Sequence, residues 1–185
     1  MGGHDLSNWM LIMHIKYALG FSIVELMLVV VLITIVSLLS VPSYNAYLKN
    51  SQSSILSTSL TQTLARARSE AIKQNIPVTV CSADVSFTDC DTQSDWVHGW
   101  ITFINPDRLT KPNQSDDIIA IYQSPYQVSL KASQTIATYE PTGFSESATA
   151  NMTFQIVPNG CTGNHGRFVT IKNVGRVEVS RTACP

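Results

Sequence analysis

Glu25 is the residue whose type and setting point most directly to chemistry. It is the only charge in residues 21–41, FSIVELMLVVVLITIVSLLSV. An ionised carboxylate in such a run costs several kcal/mol of desolvation unless a cation meets it, and acids embedded in membrane helices are functional by default. The cation that suits it is made by processing rather than encoded. If the chain is cut at the polarity boundary Leu19-Gly20-Phe21, Glu25 becomes its fifth residue, one helical turn from a new α-amino group. The carboxylate then neutralises that amine, in its own chain or in a neighbour's, and complements the positive end of the helix dipole.

Other reactive residue types are sparse. The four cysteines, Cys81, Cys90, Cys161 and Cys184, all follow the apolar run. None forms a C-x-x-C pair, and His98 and His165 stand at no ligand-like spacing from them, so a structural zinc is not expected. An even count beyond a membrane segment reads as two disulfides in an oxidising compartment. Three pairings are possible. The preferred one closes a small loop with Cys81–Cys90 at the end of the first strand and pins the last strand with Cys161–Cys184. Asp84, Asp89, Asp91 and Asp95 gather acid, but without the ligand order of an EF-hand loop. There is no G-x-S-x-G, phosphate loop or H-E-x-x-H. His98 lies between Trp96 and Trp100 beside Gly99 and reads as a packed or turn residue, and His165 reads as a loop residue. No catalytic residue, metal or cofactor is expected, and the chain does not read as an enzyme.

At 185 residues the chain fits one domain, or one domain plus an appendage, to position these residues. Charged residues make up 14% of the chain and the net charge is -1, which leaves no global basic field for nucleic acid. About 20 apolar residues of helix rise roughly 30 Å, enough to cross a bilayer core. Upstream lies a short leader with Lys16 as its one fixed cation. An ordinary secretory signal would be cut after the apolar run, but no small-residue site follows Val41.

Beyond Pro42 the pattern stays helical and becomes amphipathic. Leu48, Leu56, Leu60, Leu64, Ala67 and Ala71 form a core-facing stripe, while Ser53, Ser57, Gln62, Arg66, Ser69 and Lys73 are assigned to other faces. Arg66, Arg68 and Glu70 read as one solvated face, with Arg66 and Glu70 at helical pairing distance. Pro77 ends the helix near Asn75. Such a helix would be roughly 80 Å long. No small globule contains it, so half must be covered by lipid or by other subunits. After it come candidate strands at 78–82, 100–104, 118–122, 127–132, 152–156, 168–172 and 176–181, separated by Pro, Asn and Gly turns. The fold class is α+β, a long N-terminal helix on an antiparallel β-rich head.

The segment Gly20-Phe21-Ser22-Ile23-Val24-Glu25-Leu26, with the apolar run after it, resembles the prepilin motif of type IV pilins and type II secretion pseudopilins. The resemblance implies a type IV pilin-like fold, cleavage after Gly20 by a prepilin peptidase, N-methylation of Phe21, and registration of each subunit by Glu25. Pro42 matches the position where many pilin helices kink. It further implies a leader at 1–20, a transmembrane and filament-core helix at 21–42, an amphipathic half at 43–76 and a head at 77–185. The head would face the periplasm from the bacterial inner membrane.

Four further segments are similar in order to the GspH/FimT family of minor pilins and pseudopilins. They are Ala67-Arg68-Ser69-Glu70-Ala71-Ile72, Pro77-Val78-Thr79-Val80-Cys81, Trp96-Val97-His98-Gly99-Trp100-Ile101-Thr102-Phe103 and Gly175-Arg176-Val177. Membership implies a place in the initiating or tip complex of a pilus or pseudopilus, with other minor and major pilins or pseudopilins as partners. Some FimT-like members grip DNA with Gly-Arg-x-Arg. Here the matching positions are Gly175-Arg176-Val177-Glu178, and the acid repels phosphate where attraction is needed. Arg167, Lys172, Arg176 and Arg181 remain as candidate DNA contacts, and the structural role is preferred.

Overall fold

The computed structural model describes residues 20, 22–125, 128–146 and 151–184. Its first element is a single helix, α1, over Ile23–Gln74, with Glu25 in its first turn and Lys73 in its last, each suited to the dipole there. The helix runs unbroken through Pro42, where the missing N–H removes one rung of the hydrogen-bond ladder. It ends where Asn75 adopts φ 55°, the left-handed conformation that commonly closes a helix C-terminus. The chain divides into two units, one ending at Val41 and the other starting at Pro42.

The second unit holds the rest of α1 and eight strands: β1 Val78–Ser82, β2 Gly99–Ile104, β3 Ile118–Gln123, β4 Val128–Ala132, β5 Ile136–Tyr139, β6 Met152–Pro158, β7 Gly166–Ile171 and β8 Val177–Thr182. They form two four-stranded antiparallel sheets, ordered β3-β2-β1-β5 and β4-β6-β7-β8. The sequence reading places seven of these strands and misses β5. Four residues long and set between Ser133-Gln134-Thr135 and Glu140-Pro141, β5 is too short to carry a visible alternation.

Both sheets bury side chains against α1. Leu56, Leu60, Leu64, Ala67 and Ala71 share one core with Val80, Trp100 and Tyr139 of the first sheet and Leu130, Phe154 and Val169 of the second. Ser53 and Ser57, expected on other faces, belong to the buried stripe. Their positions continue its three- and four-residue steps, and their small side chains let β-structure approach the helix. Ser53 Oγ donates to the His165 carbonyl at 2.5 Å, and Ser57 Oγ donates to the Ser54 carbonyl at 2.9 Å. Leu48 is only half-buried.

A second core, Cys81, Ala83, Ile101 and Phe103, lies on the far face of the first sheet. The loop over it is folded around Asp84, whose carboxylate accepts N–H bonds from Ser86, Thr88 and Asp89. Asp84 is thereby engaged in holding a turn. Disulfides join Cys81 to Cys90 and Cys161 to Cys184, 9 and 23 residues apart. In the chain-entropy description these crosslinks contribute about 2.6 and about 3.4 kcal/mol.

Arg68 corrects the solvated-face expectation. Its Nη2 donates to the Val174 carbonyl at 3.0 Å, and its guanidinium lies against Gly143 and Gly175. Gly175, at φ 76°, is required there, since a Cβ would stand 2.1 Å from the Gly143 carbonyl oxygen. Glu70 bonds Lys73 and Gln74 rather than Arg66.

Tyr139 is fully buried beside this cluster, and its hydroxyl has no partner among the described residues. Burial raises its pKa well above the usual tyrosine value, against a smaller opposing pull from the Arg68 charge. A folded-state pKa above the unfolded one gives a contribution that is complete below pH ~10 and lost as pH rises beyond it. Tyr139→Phe should therefore unfold within about 1 kcal/mol of the wild type at neutral pH. Above pH ~10 the variant should gain on the wild type by up to about 1.4 kcal/mol per pH unit. Urea titrations at pH 7 and pH 10.5 decide it, and parallel losses would refute the assignment.

Candidate functional site

Two regions carry features beyond those the fold needs: the start of α1 and the cationic residues around β8. Gly20 is exposed, with nothing within 4 Å of where a Cβ would stand. Phe21 and the leader 1–19 lie outside the described residues. The Ser22 carbonyl accepts the Leu26 N–H at 3.1 Å, so the first turn of α1 places Glu25 on an exposed helix start. The residues after it expose an all-round apolar surface, with Leu38 77% accessible. An 18-residue window here has mean hydropathy 2.8, and none of it is buried.

By length and composition this segment can cross a membrane. Two of its hydroxyls are satisfied within the helix. Thr34 Oγ1 donates to the Val31 carbonyl and Ser37 Oγ to the Ile33 carbonyl, both at 2.7 Å. Such internal bonds remove the cost of carrying polar groups into hydrocarbon. Glu25 is the charged group that needs a partner from outside the helix.

The candidate DNA contacts do not form one patch. Arg167 is 6% exposed and points inward: Nη2 donates to Asn50 Oδ1 on α1 at 2.6 Å and Nη1 to the Gly166 carbonyl at 2.9 Å. Burial, with a lesser contribution from Arg181 opposite it, pulls its pKa below the usual arginine value. Arg167 is thus a strut between β7 and α1 and is removed from the set. Its signal was the spacing of Asn50 and Ser53, which extends the buried stripe by one turn.

Lys172 and Arg176 lie in the turn between β7 and β8, not within strands as expected. Glu178 meets both, its carboxylate 3.6 Å from Lys172 Nζ and 3.7 Å from Arg176 Nε. The acid that breaks the Gly-Arg-x-Arg pattern therefore stands against both cations and offsets one of their two charges. Arg181 is the exposed cation of the strand itself. Arg167→Ala strands Asn50 Oδ1 and should lower unfolding free energy by about 1–3 kcal/mol. Arg181→Ala should change it by less than about 0.5 kcal/mol. Equal losses in denaturant titrations would contradict the strut.

A family model described as type II transport protein GspH matches residues 57–175, more than half of the chain. Among curated proteins no sequence relative matches. Crystal structures of the type IV minor pilin FimU of Pseudomonas aeruginosa strain PAO1 share the fold. One has a TM-score of 0.52 at 22% identity, covering 67% of this chain and 89% of that one. A second crystal form gives 0.56 at 19% identity, covering 72% and 92%. With one long N-terminal helix on antiparallel sheets and a family match spanning helix and head, the chain belongs to the GspH family of type IV pilin-like proteins.

Proposed function

We propose that this protein is a minor pilin, a structural and non-enzymatic subunit of the complex that initiates a type IV pilus and stays at its tip. The observation that carries the reading is the unburied apolar start of α1, headed by Glu25 and joined to a head with the fold of a minor pilin. In this reading the leader 1–20 is removed after Gly20, Phe21 is N-methylated, and residues 21–42 hold the chain in the inner membrane. The amphipathic half, 43–76, and the head, 77–185, stand in the periplasm, where the two disulfides form. During assembly other pilins replace lipid around the apolar surface. The Glu25 carboxylate, meeting the α-amino group of Phe21 in its own chain or of the neighbour already in place, sets the axial register, because any other register leaves a charge buried alone.

The family description, a type II transport protein, favours a second reading in which the same subunit caps a secretion pseudopilus. A DNA-receptor role is disfavoured, because Arg167 is buried and Glu178 pairs Lys172 and Arg176. Deleting the gene separates the first two readings. Loss of surface pili with normal protein secretion supports the minor pilin, and the opposite pattern supports the pseudopilin.

Processing is read directly by mass. Intact-mass analysis of the protein from membranes should give a chain that starts at N-methylated Phe21, and a retained leader would rule the reading out. Glu25→Ala should leave the head folded, at wild-type levels in the membrane, while surface pili are lost. Electron microscopy with a fractionation blot checks both halves, and normal piliation would remove Glu25 from assembly.

A further inference from the structure

The second unit contains a hollow of about 350 Å³ between α1 and the β2–β3 pair. One end is closed by Trp100 and Tyr122, stacked with ring centroids 4.1 Å apart, and Trp100 Nε1 is held by Thr63 Oγ1 at 3.0 Å. The next cross-strand pair on the same face is Thr102 opposite Ala120, two small residues that leave space beneath the helix. Thr102 is 2% exposed, and its hydroxyl has no hydrogen-bond partner among the described residues. A buried unpaired hydroxyl is costly, so a partner arriving from outside would be favoured. Arg66 lines the hollow as its only charged residue and makes no ion pair or hydrogen bond among the described residues. Glu70, one turn along, is engaged by Lys73 and Gln74.

The strand beside the hollow differs from the other three sheet edges. Natural edges are blunted by charges, proline or covering segments. The edge of β4 is covered by residues 94–96, which form backbone bonds with Leu130 and Ala132. The edge of β5 is covered by Ser145 and Glu146. The edge strand β8 carries Glu178 and Arg181. Among the described residues, β3, IIAIYQ, is the edge strand that has no covering segment, charge or proline, and Ile121 there is 49% exposed. A strand added to it would place alternate side chains on the helix-facing side, one of them beside Ala120 over the hollow.

We propose that β3 accepts an extended segment of a different pilin-like subunit as an added strand, with an Asp or Glu of that segment entering the hollow. The carboxylate accepts the Thr102 hydroxyl and faces Arg66, giving an unpartnered donor its acceptor and Arg66, which otherwise feels Glu70 only through space, a direct ion pair. An acid is specified because the hollow offers a cation and a donor and contains no acidic side chain. The inference rests on the reading of this chain as a filament subunit.

The test uses the full chain in cells, with a photo-crosslinking amino acid at Ile121 and, separately, at Val29 in the apolar part of α1. The Ile121 probe should capture another pilin-like subunit through a peptide containing Asp or Glu. Arg66→Glu, an exposed change that leaves the core intact, should abolish that product, and replacing the captured acid by Lys should restore it. Ala120→Trp, which fills the hollow, should also abolish it. A captured peptide from this chain itself, one without an acid, a product insensitive to Arg66→Glu, or no Ile121 product while Val29 still captures pilins each overturns the proposal. If Val29 captures no pilin either, the filament reading falls with it.

Discussion

A continuous α-helix must satisfy its surroundings at every turn, and α1 meets two kinds of surroundings along one hydrogen-bonded rod. From Ile23 to Leu38 its large apolar side chains stand exposed among the described residues. From Asn50 onward one face is sealed by two sheets. The same residue type is used differently in each half. Ser37 folds its hydroxyl back onto its own helix, whereas Ser53 reaches the His165 carbonyl 112 residues away. The first arrangement makes a helix inert toward hydrocarbon and the second makes it a scaffold.

The head is organised by what the scaffold half can hold close. Ser53, Ser57, Ala67 and Ala71 are small and buried, so this face of the helix is covered without bulky side chains at those steps. Where a long side chain is needed it comes from one partner only, as with Arg68 across the Gly143–Gly175 contact and Arg167 onto Asn50. Polar tethers complete the far edge of the first sheet. Buried Asn105 donates to Thr79 Oγ1 and accepts the Leu109 N–H, while Thr79 also shares a bond with Thr138. These bonds hold β1 and β5 to the turn after β2, with little backbone left free to shift.

The helix, its C-terminal stop and seven strands were legible in the sequence because each rests on local rules: apolar length, the Asn75-Ile76-Pro77 break, and alternation bounded by turns. What was not legible depends on tertiary partners. Arg68 has the composition of a solvated residue, and only the approach of two glycine-bearing loops makes it a bridging group. Arg167 reads as a surface cation until Asn50 is known to lie beneath it. The short β5 becomes a strand because β1 offers it a template. In each case the helix periodicity held part of the answer, since the small polar residues at positions 50, 53 and 57 continue the buried stripe.

The chain alternates between sheets, with β3 in the first, β4 in the second, β5 in the first and β6 in the second. Contacts that close the head therefore join distant points of the sequence. The Arg167–Asn50 bond spans 117 residues, and β1 pairs with β5 only after β2, β3 and β4 have been made. Topologies of this kind fold slowly, because loop-closure entropy is spent before distant pairings repay it. Until the strands that pack on it arrive, from β1 to β7, part of the stripe from Leu56 to Ala71 is open to any other apolar surface. The time between synthesis of the helix and synthesis of its last strand is thus a window of vulnerability. A folding assistant that shields the stripe would act in that window and have nothing to grip once β7 is in place.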